Sequence, residues 1–131
     1  MVEPQQALFI AVRRALLQVY PGSVYYGRIP GPDAQYPFTY LGEFNQQDQQ
    51  TKSVIIGTIP VTVHNWHNRP DQRGTVSARN AAVKAALRGA EHEDYGFLVT
   101  GVTSRIIPDN TTDAPLLHGI VEAEVKFWPK H

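Results

Sequence analysis

Apolar residues recur every three or four positions in two stretches of the chain, and this spacing predicts two amphipathic helices. The first helix is predicted over about residues 4–19, where Pro4 suits the first turn and Pro21-Gly22 ends it. The second is predicted over about residues 75–88, with Gly89 as its terminator. The predicted buried faces are Leu8, Val12, Ala15, Leu16 and Val19 in the first helix and Val76, Asn80, Val83 and Leu87 in the second.

Five other stretches alternate between apolar and polar residues or are rich in aromatic and β-branched residues, which predicts strands. They are Ser23–Arg28, Tyr36–Phe44, Thr58–Trp66, Phe97–Ile107 and His118–Trp128. In the last stretch Val121, Ala123, Val125 and Phe127 are predicted to face the core, and Glu122, Glu124 and Lys126 to face water. Pro60 cannot donate to a ladder, so the third strand is predicted to lie at a sheet edge or to carry a bulge.

The order of these elements, α-β-β-β-α-β-β, is typical of an α+β fold. We expect a mainly antiparallel, roughly five-stranded sheet with both helices packed on one face. A chain of 131 residues fits a single domain, so one domain is predicted over residues 1–131.

The polar segment Asn45–Lys52 contains neither Gly nor Pro, so it lacks the chemistry of a tight hairpin turn. It is too hydrophilic to be buried, and we interpret it as a projecting loop. Its centre is a candidate for contact with a partner, although a spacer without a role explains it equally well. The candidate residues are Gln46, Gln47, Asp48, Gln49 and Gln50.

Composition excludes several classes of protein. There are no cysteines, which rules out disulfides and thiolate metal sites. The start at Met1–Pro4 has no secretory signal, and no apolar run is long enough to span a bilayer, so no membrane association is predicted. Twelve Lys and Arg balance twelve Asp and Glu, which argues against dedicated nucleic-acid binding.

Basic residues nevertheless concentrate around the second predicted helix: Arg69, Arg73, Arg79, Lys84 and Arg88. The simpler interpretation is a solvated helix with charged residues at its surface. The alternative is a basic surface that meets an acidic neighbour or passing DNA. Within this group, Arg69 and Arg73 belong to the loop that precedes the helix and are candidates for contact with a partner or a lumen.

Sites for catalysis, cofactors or metals are not predicted. His64 and His67 are three residues apart in a strand and therefore on opposite faces, and we expect His92, His118 and His131 at the surface. The sequence has no metal-ligand motif, nucleophile elbow or phosphate-binding loop. Glu122 and Glu124 lie on a wetted strand face, where both stay ionised. The chain is thus not expected to be an enzyme.

Two features favour assembly. An open sheet has unpaired edges that must be covered, blunted or paired, and the last two predicted strands would each reach about 35 Å at roughly 3.3 Å per residue. We expect that hairpin to overhang its own core, which favours a homo-oligomer. Tyr25, Tyr26 and Trp66 are candidates for the subunit interface, since interfaces are rich in aromatic residues. Without a basic excess, stacking on nucleic acid is the less favoured interpretation.

Several segments, in order along nearly the whole chain, resemble the tail-terminator or tail-completion proteins of long-tailed bacteriophages. They are the first helix entering Val19-Tyr20, the stretch Tyr36–Gly42, Thr51-Lys52, Val61–Trp66, the helix through Ala82–Leu87, Asp109 in a polar loop, and His118–Phe127. The sequence departs from the family pattern in its glutamine-rich segment and at Asn65-Trp66-His67.

The resemblance implies a structural virion protein that forms a ring of six subunits at the head-proximal end of the tail. Such a ring caps the tail tube, stops its polymerisation and gives the neck or head-completion protein a docking surface. DNA would pass through without sequence-specific binding. It also implies synthesis in the host cytoplasm. A neck or head-completion connector is the first alternative, and a small cytosolic ligand-binding domain or enzyme is the second.

Overall fold

The periodic patterns of the sequence appear as two helices and six strands in the computed structural model, which describes residues 2–31, 33–111 and 113–130. His131, expected at the surface, lies outside the described residues, as do Met1, Pro32 and Thr112. In chain order the elements are α1 (Pro4–Val19), β1 (Val24–Tyr26), β2 (Phe38–Phe44), β3 (Gln47–Gln50), β4 (Ile55–His67), α2 (Arg73–Arg88), β5 (Tyr95–Asp109) and β6 (Leu116–Pro129).

The centre of the sheet is the antiparallel pair β4 and β6, which are in register from Gly57↔Phe127 to His67↔Leu117. Alternate residues of both strands point to the same side and are buried there. These are Ile59, Val61 and Val63 of β4 and Val121, Ala123, Val125 and Phe127 of β6. The predicted alternation is therefore confirmed, and it gives the sheet one apolar face.

Both helices cover that apolar face, as predicted. Leu8, Val12 and Leu16 of α1 and Val76, Val83 and Leu87 of α2 are buried against it. Val19 was also predicted to be buried, which was wrong: it is the last residue of α1 and is 59% exposed. The bounds of α1 match the prediction, and α2 begins two residues earlier than predicted. Gly119 lets α2 approach β6 closely, since a Cβ there would lie 2.6 Å from atoms of Asn80 and Val76.

The strand order is β1-β2-β4-β6-β5, with β3 paired to the first part of β4. All neighbours are antiparallel except β1 and β2, which are parallel. The α+β class is thus confirmed, with six strands where roughly five were expected. The first predicted strand, Ser23–Arg28, is shorter than expected, because only Val24–Tyr26 pair with β2.

The additional strand is the segment interpreted as a projecting loop, and that interpretation was wrong. Gln47–Gln50 pair with Ile55–Thr58 of β4. The turn needs no Gly or Pro, because Thr51 closes it: its Oγ1 donates to the Val54 carbonyl at 2.8 Å and accepts from the Val54 N–H at 3.2 Å. A threonine side chain thus replaces the expected turn residues.

Pro60 does not place β4 at an edge, because the strand pairs on both sides. Its carbonyl accepts from the Asn45 N–H at 3.1 Å, so its peptide groups point away from β6. On that side β2 ends at Phe44 and β3 starts at Gln47. The missing N–H therefore lies at the junction of two short strands, beside a register shift between Leu41 and Phe44 of β2.

The hairpin of β5 and β6 overhangs the core less than expected. β4 accompanies β6 as far as the pair His67↔Leu117, while the last β5–β6 pair is Asp109↔Leu116. At this end only the pair Asp109↔Leu116 and the described turn residues that follow Asp109 and precede Leu116 lie beyond β4. For assembly, the long unpaired margin of β5 is therefore more important than the overhang of the hairpin.

A buried polar network fastens α2 to the sheet. The Thr39 hydroxyl donates to Asn65 Oδ1 at 2.6 Å, and the Asn65 amide donates to Asn80 Oδ1 at 2.7 Å. Arg79 donates from Nε to the Thr39 hydroxyl and from Nη2 to the carbonyl and hydroxyl of Ser23. Every link joins different elements, so the network sets the position of α2 over β2 and β4.

Arg79 is therefore not part of a solvated basic surface, which corrects that interpretation for this residue. It is 4% exposed, and its guanidinium lies 3.8 Å from the centroid of the Tyr20 ring. Burial lowers the pKa of the Arg79 guanidinium. The remaining residues of the basic group, Arg69, Arg73, Lys84 and Arg88, stay at or near the surface.

We expect Asn65→Ala to lower the free energy of unfolding by about 2–3 kcal/mol, because it leaves buried groups on Thr39 and Asn80 without partners. Asn68→Ala, three residues later and exposed, is the matched control and is expected to change stability by less than about 0.5 kcal/mol. Urea denaturation followed by circular dichroism measures both. Equal effects of the two substitutions would show that the network contributes little.

Candidate assembly surfaces

The face of the sheet opposite the helices carries a stack of rings that crosses from β4 to β6. Trp66 and His118 are register partners, and their rings stack with centroids 3.7 Å apart at 8°. His64 Nδ1 lies 2.8 Å from His118 Nε2, so one ring donates to the other. The predicted interface residue Trp66 is thus already packed within its own subunit.

Burial keeps these histidines uncharged near neutral pH. Burial is the main cause that lowers the pKa of His118 to about 4, and the neighbouring His64 lowers it further. Burial also lowers the pKa of His64, which Glu43 and Glu122 partly counteract. His118 was expected at the surface, but it is only partly exposed, because it stacks on Trp66 and lies beside His64. The pattern of one strand does not show which residue lies opposite on the next strand.

His67 is buried on the other face of β4, which confirms that it and His64 point to opposite sides. Burial lowers the pKa of the His67 ring. Among the described residues, no group of three His, Asp or Glu side chains is placed to hold a metal ion. His67 therefore belongs to the interior beneath α2 and to no visible ligand set.

The other two predicted interface residues, Tyr25 and Tyr26, point to opposite faces of β1. Tyr25 makes an edge contact with Phe38, the register partner of Trp66, and so extends the ring cluster. Tyr26 lies on the helix side, against Phe9 at 5.0 Å and under the Arg13 guanidinium. The structure thus brings Tyr25 near Trp66, while Tyr26 stands apart as a half-exposed ring at the β1 margin.

The predicted partner-facing residues also fall into separate groups. Gln46 accepts a hydrogen bond from the Gln5 N–H at 2.9 Å, so its side chain serves the N-terminus of α1. Gln46 also donates to Asp48 Oδ1 at 2.6 Å. Gln47, Gln49 and Gln50 are exposed along β3. The structural role of Gln46 was missed, because a capping contact over 41 residues leaves no local signal.

Arg69 and Arg73 lie at the other end of β4, after His67. Arg69 is exposed and pairs with Asp71 at 3.7 Å, and Arg73 is the exposed first residue of α2. The thirteen residues of β4 separate them from β3, which amounts to about 40 Å at roughly 3.3 Å per residue. The two predicted contact segments therefore lie at opposite ends of the molecule.

Sequence reasoning missed an apolar group at the end of the molecule where β3 lies. Leu98 of β5 is 55% exposed and Trp128 of β6 is 38% exposed, and the Trp128 ring lies on Gly96. Val54 and Ile55, on the opposite margin of the sheet, are also exposed. Leu98 is the register partner of Lys126, so it is an apolar residue on the wetted face of the sheet.

The wetted face itself offers no catalytic arrangement. Glu122 pairs with Arg105 at 3.5 Å, and Glu124 accepts from the Thr100 hydroxyl; both carboxylates are exposed, as expected. Over the part of the chain that the structure describes, no helix is long and apolar enough to cross a membrane.

Acid is expected to destabilise the fold through the histidine pair. Because the pKa of His118 is lowered in the folded state, the stability that this histidine provides is complete above about pH 6.5 and falls as the pH approaches 4. The free energy of unfolding of the wild-type protein should therefore fall between pH 7 and pH 5. His118→Phe, which retains a ring against Trp66, should make this fall smaller by on the order of 1 kcal/mol, a figure that already allows for the partial exposure of His118. Denaturation at several pH values measures it, with His92→Gln as control. An unchanged profile in His118→Phe would contradict the assignment.

Comparisons with known proteins bear on these surfaces. The family model described as tail completion protein gp17 matches residues 6–126. A chain of the virion of a native gene transfer agent particle is 22% identical, with 94% of each chain covered and a TM-score of 0.61. The gp17 protein of bacteriophage SPP1 is 24% identical, with 97% of this chain and 91% of that chain covered and a TM-score of 0.61. No curated protein matches the sequence.

The two solved structures share the fold at low identity, and the family model covers most of the chain and both layers of the fold. The chain belongs to the tail completion protein gp17 family, and it is therefore a structural protein of the phage particle's tail and not an enzyme.

Proposed function

We propose that copies of this chain form a closed ring of six subunits at the head-proximal end of the tail. The ring caps the tail tube, ends its polymerisation and provides the surface on which the neck or head-completion protein docks. The observation that carries the proposal is the long free margin of β5 in a protein of the tail-completion family.

That margin is fifteen residues long, and among the described strands β5 pairs only with β6. A long unpaired edge is a template for association unless it is covered or blunted. The opposite margin of the sheet is formed by the short strands β1 and β3 and differs from it in length and sequence. Two different margins support a heterologous contact, which closes into a ring when the rotation between neighbours allows.

The two ends of β4 suit two different axial partners. Gln47, Gln49 and Gln50 are exposed at one end, and Arg69 and Arg73 are exposed at the other. A terminator must contact the tail tube on one side and the neck on the other. We therefore assign one end to each, with the remaining polar side chains toward the lumen.

The balance of charge supports passage of DNA through the ring. Twelve basic residues equal twelve acidic ones, and exposed Arg105 is paired with Glu122. A channel that neutralised many phosphates would hold DNA tightly and in a salt-dependent way. A neutral wall lets DNA pass without being held or read.

Loss of the protein is expected to yield tails that are overlong or not joined to heads, while the heads retain their DNA. Electron microscopy of lysates from a phage with the gene deleted gives the distribution of tail lengths and the fraction of joined particles. Complementation with the wild-type gene is the control. Heads that leak DNA beside tails of normal length would contradict a terminator and support a neck or head-completion connector.

The two ends can be separated by paired substitutions. Arg69→Ala/Arg73→Ala and Gln47→Ala/Gln49→Ala are each expected to keep the ring mass and the melting temperature, since all four side chains are exposed. One variant should lose binding to tail tubes and the other should lose joining to heads, measured by co-sedimentation with tubes and by head–tail joining in extracts. If both variants lost the same interaction, the assignment of one partner to each end would be wrong.

A further inference from the structure

Beside α2, the helix side of β5 is left partly uncovered and forms a groove. Gly119 of β6 lets α2 lie close to the sheet, so the helix-side residues of β5 stand one strand spacing farther out. Ser104 is exposed there and Ile106 is partly exposed. The groove has a volume of about 200 Å³. We define this α2–β5 groove by Arg73, Ser77 and Lys84 of α2 and by Ser104 and Ile106 of β5.

The α2 side of the groove is basic and has no acidic counterpart. Arg73, Ser77 and Lys84 lie within about 40° of one another around the helix axis, and Arg88 continues the same flank. The sequence of α2 contains no acidic residue. Among the described residues, no carboxylate forms an ion pair with Arg73, Lys84 or Arg88. The flank therefore presents positive charge that an acidic partner can neutralise.

The β5 side of the groove is an unpaired strand edge whose hydrogen-bonding groups point outward. The peptide groups of Pro60 point away from β6, so those of its register partner Glu124 point toward β5. Because alternate residues of a strand bond to opposite sides, the N–H and C=O groups of Ser104 and Ile106 then point away from β6. These groups lie directly beside the groove and are the ones that an added strand would bond.

This edge is uninterrupted along Val102–Ile107. On one side β5 carries a register shift between Val99 and Gly101, and on the other side Pro108 has no N–H to offer. The uninterrupted edge spans about 20 Å at roughly 3.3 Å per residue. Arg73 and Lys84 are about 16 Å apart along α2 at roughly 1.5 Å per residue. The basic flank and the free edge are therefore similar in length.

These two properties define the chemistry of the occupant. A free strand edge is filled by an extended polypeptide, which adds to the sheet through its main chain, and the basic flank favours carboxylates in that polypeptide. Duplex DNA is also acidic, but it has no peptide main chain with which to continue a β-ladder. The β1 margin of a second copy matches poorly in charge, because it carries Arg13 and Arg28.

We propose that the α2–β5 groove binds an extended acidic segment of the partner protein at the Arg73 end of the ring. The segment adds to β5 as a further strand: its main chain bonds to Ser104 and Ile106, and its carboxylates pair with Arg73 and Lys84. This inference rests on the proposed function, in which that end contacts one axial partner, and it names how the partner is held. The segment Tyr95–Val99, which carries the exposed Leu98, remains free for the neighbouring copy.

The main-chain bonds are tested at Ser104. Ser104→Pro removes an outward N–H, a change that an edge strand tolerates, and it should weaken binding to one of the two axial partners by about tenfold. Ser104→Ala keeps the N–H and is the matched control, with binding expected to equal that of the wild type. Co-sedimentation with purified tail tubes and joining of DNA-filled heads in extracts measure binding. Light scattering measures the ring mass of each variant.

A second variant tests the charge and remains informative if Ser104→Pro does not fold. Lys84→Glu should weaken the same interaction by about tenfold, with the ring mass and the melting temperature unchanged. Lys126→Glu makes the same substitution at an exposed position on the opposite face of the sheet. It is the matched control and should bind both partners normally.

The outcomes separate the inference from the proposed function. If folded Ser104→Pro or Lys84→Glu binds both partners as the wild type does, the partner docks elsewhere and the proposed function stands. If Lys84→Glu loses the ring mass, the groove holds a second copy, and if it loses a measurable affinity for duplex DNA, the groove holds DNA. Either result overturns the inference. If the wild-type protein binds neither tubes nor heads, the proposed function itself fails.

Discussion

The pairing of β4 with β6 is the constraint on which the rest of the molecule depends. From Ile59 to Val63 and from Val121 to Phe127 every second side chain is buried, so a slip of one residue would turn this apolar set toward water. The two helices cover the face that this alternation creates. β2 and β3 pair with the outer side of β4, β5 pairs with the outer side of β6, and β1 extends the sheet from β2. The register of this one strand pair therefore fixes the positions of the sheet margins, of the two ends of β4 and of the stack formed by Trp66, His118 and His64.

The polar network beneath α2 fixes the position of this helix on the apolar face of the sheet. Apolar packing alone tolerates small shifts of a helix along a sheet, whereas hydrogen bonds between Thr39, Asn65, Asn80 and Arg79 do not. Because the loop with Arg69 leads directly into α2, the same bonds also place that basic loop at one end of the molecule. A buried network thus determines where a surface that we propose for assembly lies.

Sequence-based prediction succeeded where the structure of a segment follows from the periodicity of its own residues. The bounds of α1 and the buried set from Val121 to Phe127 are confirmed because each depends on a local period. The resemblance to tail-completion proteins is confirmed by the family model. Predictions failed where contacts with a distant part of the chain determine the structure. β3 pairs with β4 despite its polar sequence, and Gln46 caps the distant helix α1. His118 of β6 contacts His64 of the neighbouring strand β4.

Arg79 is a second example of a residue whose environment is determined by distant parts of the chain, here a charged residue that is buried. The other basic residues around α2 lie at or near the surface, whereas Arg79 is buried because Ser23 and Thr39 accept hydrogen bonds from its guanidinium and the Tyr20 ring covers it. The surfaces proposed for assembly are also beyond local patterns, since exposure of Leu98 has meaning only beside an unpaired strand. The sequence also predicted that Arg69, Arg73 and the segment Gln46–Gln50 contact partners, and these remain predictions.

The two tryptophans give the protein built-in optical probes. The indole of Trp66 is stacked on the imidazole of His118, and a protonated imidazole quenches indole fluorescence, so we expect the emission of Trp66 to fall when His118 is protonated. The indole of Trp128 lies over a glycine at the edge of the molecule, partly in contact with solvent. We expect emission from Trp66 to respond to acidity and emission from Trp128 to respond to burial of its surroundings. Because the two emissions overlap, Trp66→Phe and Trp128→Phe variants would separate them.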